Sequence, residues 1–216
     1  MSKLALYSQQ ETSAGHAVDL ELLRLIAKPN PHIAWIPSDF RSGSDWFYSK
    51  IAYYARYNAV LEEPVKFDAD STASDLERLW KFDAIHLSGG NTVEFLRLLR
   101  LHQLLEPLKL FARSGGVLIG ESAGAILMTP SIETTFLGQS GDQYPDADFD
   151  RAALGLVDFA FVPHYVDDLE TQCRELAVKL GRNVYACRDG NGIVVNGDEM
   201  RLIGDIARFS PSPNGA

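Results

Sequence analysis

Residues 117–126 constrain this chain more than any other stretch: Val117-Leu118-Ile119-Gly120-Glu121-Ser122-Ala123-Gly124-Ala125-Ile126. A short apolar run suited to a buried strand leads into Gly-x-Ser-x-Gly, and an apolar segment able to start a helix follows. That order is what a nucleophile elbow needs. The serine sits on a tight, strained turn, and the small residues two positions before and after it relieve the crowding. The backbone N–H of Ala123, at the start of the helix, then faces an anion developing beside the hydroxyl. A bare Gly-x-Ser-x-Gly would read as an ordinary glycine turn; the strand before it and helix after it favour the elbow.

An elbow of this kind belongs to an α/β sheet, and the rest of the chain keeps the rhythm. Leu4–Tyr7, Ile33–Ile36, Ala84–Leu87 and Val117–Ile119 are short apolar runs bounded by polar residues or glycine. Helical patterns lie between them, one carrying Val18, Leu20, Leu22, Leu23 and Ile26, another Leu96, Leu99, Leu104, Leu105 and Leu108. Pro107 falls early in its helix, where a missing N–H costs little. The alternation predicts a mostly parallel sheet flanked by helices on both faces. Farther on, Gln139–Asp150 reads as a polar surface loop and Val157–Val162 as a buried strand. Asp167–Leu180 reads as a helix, and Val184–Cys187, Ile193–Val195 and Met200–Ile203 as closing strands. At 216 residues the expectation is one α/β domain over 1–209 and a flexible tail over 210–216. The aromatic-rich helical region with Trp46, Phe47, Tyr53, Tyr54 and Tyr57 reads as core packing before dimer surface.

A second strand-to-helix turn lies upstream, Ser88-Gly89-Gly90-Asn91-Thr92. Its glycines let the backbone approach a ligand closely, and Gly90 can offer a second N–H to an oxyanion. The plainer reading is a turn in which Asn91 or Thr92 caps the next helix. Both turns would open at the C-terminal edge of the sheet, where open α/β sheets place ligands.

A serine nucleophile needs a base. Among His16, His32, His86, His102 and His164, only His164 follows an apolar run at a strand's end, after Phe159-Ala160-Phe161-Val162-Pro163. It is the candidate base. The acid orienting it is open on spacing alone, with Asp142, Asp146, Asp148, Asp150 and Asp189 all in polar segments.

Composition excludes other classes. With 20 basic and 29 acidic residues the net charge is −9, which removes the usual electrostatic ground for non-specific nucleic-acid binding. No apolar run approaches the roughly 18–20 residues of a membrane span, and the N-terminal apolar stretch is too short for a signal peptide. Two cysteines, Cys173 and Cys187, make no disulfide framework and point to a cytoplasmic protein with reduced thiols. No His-Glu-x-x-His or clustered Cys/His spacing calls for a metal, and no cofactor is expected.

Together, Ser88-Gly89-Gly90-Asn91-Thr92, Gly120-Glu121-Ser122-Ala123-Gly124-Ala125, Pro163-His164-Tyr165 and Asp189-Gly190-Asn191 resemble the peptidase E family of cytoplasmic serine peptidases, the aspartyl dipeptidases. The resemblance runs from the first strand to about Ile203. It implies a class I glutamine amidotransferase-like (flavodoxin-like) sandwich, Ser122 as nucleophile, His164 as base, and Gly90 and Ala123 as the oxyanion hole. It points to an acid at two positions, Asp142 and Asp189; the family usually has glutamate at the second. It implies hydrolysis of short peptides, dipeptides with N-terminal aspartate first, through an acyl-enzyme, by a monomer or homodimer. Gly89, Asn91, Thr92, Gln172 and Arg174 are the expected substrate-binding residues.

One departure bears on specificity. Aspartate-specific members carry an arginine shortly after the histidine, in a Glu-Thr-Arg context; here the stretch reads Glu170-Thr171-Gln172-Cys173-Arg174. A neutral amide lacks the cationic fork, so Arg174 or Arg188 would have to substitute. Broader-specificity or cyanophycinase-like hydrolysis, or an inactive small-molecule binding relative, are the alternatives. A glutamine amidotransferase would need cysteine at 122, and an α/β-hydrolase esterase normally carries its histidine much farther on than 42 positions from the serine.

Overall fold

The computed structural model describes residues 2–38, 44–62, 64, 77–138 and 148–211. The main sheet contains β1 (Lys3–Tyr7), β2 (His32–Ile36), β3 (Val60–Leu61), β4 (Ala84–Leu87), β5 (Val117–Glu121), β8 (Gly192–Asn196) and β9 (Glu199–Ile203). Their order is β3-β2-β4-β5-β1-β8-β9. From β3 to β1 neighbouring strands are parallel, and β8 and β9 complete the sheet antiparallel. A smaller sheet holds β6 (Ala160–Val162), β7 (Val184–Cys187) and β10 (Ile206–Phe209) in the order β10-β7-β6.

Successive strand residues face opposite sides of a sheet, and both sides here are apolar. Leu4 and Leu6, Ile85 and Leu87, and Leu118 join α3 (Thr92–Leu101), α4 (Leu105–Arg113) and α5 (Ala123–Leu127) in one core. Ala5 and Tyr7, Trp35, and Val117 and Ile119 join α1 (His16–Ile26) and α2 (Ser44–Ala55) in the other. The smaller sheet packs on α6 (Glu170–Leu180) through Val162, Cys173, Leu176 and Ala186. Cys173 and Cys187 are free and buried, and burial pushes their thiols up to about 11 and about 12. They are protonated at neutral pH and poor nucleophiles.

The fold class is the expected one, with local differences. The run Val157–Val162 yields a strand only over Ala160–Val162, and the helix expected from Asp167 begins as a 3-10 turn, Asp167–Leu169. The closing strands divide between two sheets. Two strands were not among those expected: β3 is two residues long, and in β10 only Phe209 is buried. Phe47, Tyr53 and Tyr54 are core residues as expected, but Trp46 is 61% exposed. Residues 139–147 of the expected loop and 212–216 of the expected tail lie outside the described residues.

Parallel register lines up the strand ends that matter. Tyr7 pairs with Glu121, and Leu87 with Gly120, so Ser8, Ser88 and Ser122 emerge together at one edge of the sheet.

Candidate active site

Ser122 joins β5 to α5 with φ 50° and ψ −109°, a conformation side chains rarely adopt. Neighbouring contacts hold it there. Its N–H donates to the Tyr7 carbonyl at 2.9 Å and the Gly124 N–H to the Ser88 carbonyl at 3.1 Å. The flanking glycines are required by space: a Cβ on Gly120 would lie 2.6 Å from the Gly124 carbonyl, and one on Gly124 would lie 2.2 Å from the Leu87 carbonyl oxygen. Ala123, the first residue of α5, has an N–H with no acceptor inside the helix.

His164 follows β6, and Asp189 follows β7. These strands are parallel, with Val162 opposite Ala186, so the two residues leave adjacent strands at the same edge. His164 Nδ1 lies 2.7 Å from Asp189 Oδ1, and its Nε2 lies 2.9 Å from Ser122 Oγ. With the carboxylate accepting from Nδ1–H, Nε2 is left as the acceptor for the serine proton. His164 itself has φ 54°. Ser8, buried at the end of β1, ties the group together: its Oγ accepts from the His164 N–H at 2.7 Å and donates to Asp189 Oδ1 at 2.8 Å. A hydroxyl has a single proton, and here it goes to the carboxylate. Sequence reading overlooked Ser8, although its place one residue beyond a strand end was a usable signal.

The second turn abuts the elbow. A Cβ on Gly89 would lie 3.7 Å from Ser122 Cβ. Gly90 has φ 131°, where a Cβ would fall 2.0 Å from Ser38 Oγ. Ser38 and Ser88 pin this turn: the Ser38 N–H donates to Ser88 Oγ at 2.7 Å, and Ser38 Oγ donates to the Gly89 carbonyl at 2.6 Å. Asn91 serves as the cap of α3, its Oδ1 accepting from the Glu94 N–H at 2.8 Å. Thr92 is buried and accepts from Thr135 Oγ1 at 2.9 Å.

Behind the elbow lies a buried charged cluster that the sequence did not reveal. Lys50, 2% exposed, brings Nζ within 2.8 Å of Glu121 Oε2, 3.1 Å of Gln10 Oε1 and 3.3 Å of Glu11 Oε1. The other oxygen of Glu121 accepts from the Gln10 N–H at 2.9 Å. The ammonium therefore donates to Gln10 and lies at ion-pair distance from two carboxylates, and its pairing with Glu121 anchors the residue next to Ser122. His86, fully buried, bonds the Tyr54 hydroxyl through Nδ1 at 2.7 Å, and burial holds its imidazole well below the usual range.

Two cavities meet at Ser122 and His164. One, about 420 Å³, runs along α5 to residues 134–138 and 162–169; Gly90 and Thr92 also line it. The other, about 390 Å³, is bounded by Ser8, Glu11, Trp46, Lys50, Gly90 and Glu121. The expected substrate residues of α6 line neither. Gln172 Oε1 accepts from the Gly138 N–H at 2.9 Å, while Arg174 binds Glu170 and lies over the Phe209 ring. Arg188 is held between Asp167 and Asp205. Asp142 lies outside the described residues. Among those described, no group of three His, Cys, Asp or Glu residues could hold a metal, and no helix is long and apolar enough to cross a membrane.

A family model described as peptidase family S51 matches residues 4–203. A probable alpha-aspartyl dipeptidase of Drosophila melanogaster is 34% identical over 167 residues, covering 69% of this chain and 68% of that protein. Peptidase E of Salmonella arizonae is 34% identical over 145 residues, 61% of this chain and 60% of the relative's length. Among solved structures, a peptidase from an acI-B1 Actinobacterium superposes with a TM-score of 0.72 at 18% identity, over 99% of this chain and 92% of that one.

Proposed function

This chain belongs to peptidase family S51 and is a peptide-bond hydrolase, and from that premise we propose that it cleaves short peptides by acyl transfer, with Ser122 as nucleophile, His164 as general base and Asp189 as the orienting acid. The observation that carries the reading is the continuous chain from Ser122 Oγ through His164 to Asp189, at 2.9 and 2.7 Å, mounted on a strained elbow. Imidazole Nε2 takes the Ser122 proton as the oxygen attacks the carbonyl carbon. The N–H groups of Ala123 and Gly90 receive the oxyanion, and the imidazolium, steadied by Asp189, protonates the departing amine. Water, deprotonated by the same nitrogen, then releases the acid.

Small substrates suit a cleft split into two modest cavities by its own nucleophile and base. Cleavage after an N-terminal aspartate, which the name of the Drosophila relative states for that protein, is the narrower reading. It needs a cation for the β-carboxylate, and Arg174 and Arg188 are both engaged elsewhere.

The test is covalent trapping. A fluorophosphonate should add one phosphonyl group, located at Ser122 by peptide mass analysis, and His164→Ala should slow labelling by orders of magnitude. Labelling at another residue, or at equal rate in Ser122→Ala, refutes the assignment.

A further inference from the structure

Ser122 is carried by the main sheet, whereas His164 and Asp189 leave strands of the smaller one. The distances between them therefore depend on what ties the two sheets together beside the site. Residues 8–10, which continue β1, make that tie. On one side they hold the end of the smaller sheet. Ser8 Oγ accepts from the His164 N–H and donates to Asp189, the Ser8 N–H donates to the Asn191 carbonyl at 3.1 Å, and the Gly190 N–H donates to the Gln9 carbonyl at 3.2 Å. On the other side they must hold the strand that carries the elbow. Backbone pairing of β1 with β5 ends at Tyr7 and Glu121. Beyond that point a side chain continues it: Glu121 Oε1 accepts the Gln10 N–H at 2.9 Å, one residue before Ser122.

A carboxylate buried as deeply as that of Glu121, which is 6% exposed, is costly without a counter-charge. Lys50 brings one from α2, with Nζ 2.8 Å from Glu121 Oε2. The same ammonium donates to Gln10 Oε1 at 3.1 Å, while Gln10 Nε2 donates to the Tyr54 hydroxyl at 3.2 Å and to Asp19 at 3.3 Å. Lys50 thus grips both partners of the Glu121–Gln10 contact. A buried ion pair adds little net stability over an apolar pair of the same shape; what it supplies here is a contact fixed in direction.

We propose that Lys50 and Glu121 are positioning residues: through Gln10 they lock residues 8–10, and with them His164 and Asp189, against the elbow that carries Ser122. The proposal rests on the reading of those three side chains as the catalytic group, and goes beyond it by assigning the part that sets their spacing. Misplacement by about 1 Å costs roughly a hundredfold in rate, so the lock acts on turnover and leaves ground-state binding alone.

The experiment compares Glu121→Leu, which removes the acceptor at similar volume, with Glu121→Gln, which keeps an oxygen for the Gln10 N–H. On the X-Leu dipeptide that wild type cleaves best, Glu121→Leu should lower kcat by roughly tenfold to a hundredfold with KM nearly unmoved. Glu121→Gln should retain at least about five times the kcat of Glu121→Leu. Lys50→Met strands the carboxylate and should lower kcat by a similar factor; adding Glu121→Gln to it should raise kcat again, whereas independent structural losses would multiply. Amide exchange followed by NMR reads the lock without a substrate. In Glu121→Leu and Lys50→Met the His164 and Gly190 amides should exchange about tenfold faster or more, while amides in the middle of β5 keep their protection. If wild type cleaves no peptide but those two amides respond, the hydrolase reading fails and the lock stands. Unchanged exchange at both amides, equal kcat in Glu121→Gln and Glu121→Leu, or a loss carried by KM overturns the lock and leaves the hydrolase intact. If Glu121→Leu does not fold, Lys50→Met and its double variant decide by the same two readouts.

Discussion

Replacing Ser122 with glycine should make this protein more stable than replacing it with alanine. Ser122 holds φ 50° and ψ −109°, and a non-glycine residue in such a sparsely populated region costs on the order of 1–3 kcal/mol. The cost cannot relax away. The N–H groups of Ser122 and Gly124 are fixed by carbonyls of β1 and of the Ser88 turn, and Gly120 and Gly124 are packed too closely to shift. Ser122→Ala and Ser122→Gly both lose the 2.9 Å bond to His164 Nε2, so that loss cancels between them. Alanine keeps the Cβ and the strain. Glycine sheds the strain but gives back about 0.5–1 kcal/mol through its freer unfolded chain. The difference should be about 1 kcal/mol in favour of glycine, a Tm higher by about 2–4 °C for a chain of this size. Urea titrations of the two variants, with matching m-values, supply the comparison. A Ser122→Gly protein no more stable than Ser122→Ala would mean that the elbow stores no strain.

Three further outcomes are expected. Asp189→Asn should lower kcat by about 10³–10⁴ because the amide no longer fixes the tautomer that leaves Nε2 free, and steady-state kinetics on any cleaved dipeptide will show it. Ser8→Ala removes one bond to Asp189 and one to the His164 N–H; kcat should fall about tenfold with KM little changed, and unfolding should cost about 1–2 kcal/mol less. His86 has a folded pKa held well below its ordinary value by burial and by Lys50, in a pocket it shares with Tyr54 and Glu121. Below about pH 6.5 the unfolded chain therefore binds a proton that the folded chain refuses. Stability should fall on acidification from that point with a slope of up to about 1.4 kcal/mol per pH unit; His86→Gln should flatten the urea-midpoint profile between pH 6.5 and 5, and an unchanged slope refutes the assignment.

What could be read in advance was whatever a residue needs from its own backbone. The elbow was legible because Gly120 and Gly124 sit where a Cβ would strike the Gly124 and Leu87 carbonyls, and no other residue type meets that demand. His164 was legible because Val162 and Pro163 mark a strand's end. The carboxylate beside His164 was not. The contact with Asp189 follows from the pairing of Val162 with Ala186, a register between strands separated by the whole of α6, and no spacing rule encodes that. Asp189 reaches His164 despite being a methylene shorter than the family's glutamate, because the parallel pairing brings the two strand ends side by side at 2.7 Å between side-chain atoms.

Charge in the cleft was still harder to read, because a cation's address in the sequence says nothing about which carboxylate captures it. Arg174 lies two residues past the position where the resemblance expects an arginine, close enough to look like a substitute. Yet it sits one helical turn beyond Glu170, the i,i+4 geometry that favours a pair along the helix surface, and its guanidinium also covers Phe209. Arg188, beside Asp189, is drawn the other way by Asp167 and Asp205. A net charge of −9 makes this outcome the expected one: with acids in surplus, an exposed arginine finds a carboxylate nearby more readily than it stays free for a ligand. An acidic side chain is then received only where the fold shields a cation from the chain's own carboxylates. Among the described residues Lys50 is the most buried cation near Ser122, and Glu121 and Glu11 already surround it. The excess of carboxylates is therefore what keeps both arginines out of the cleft.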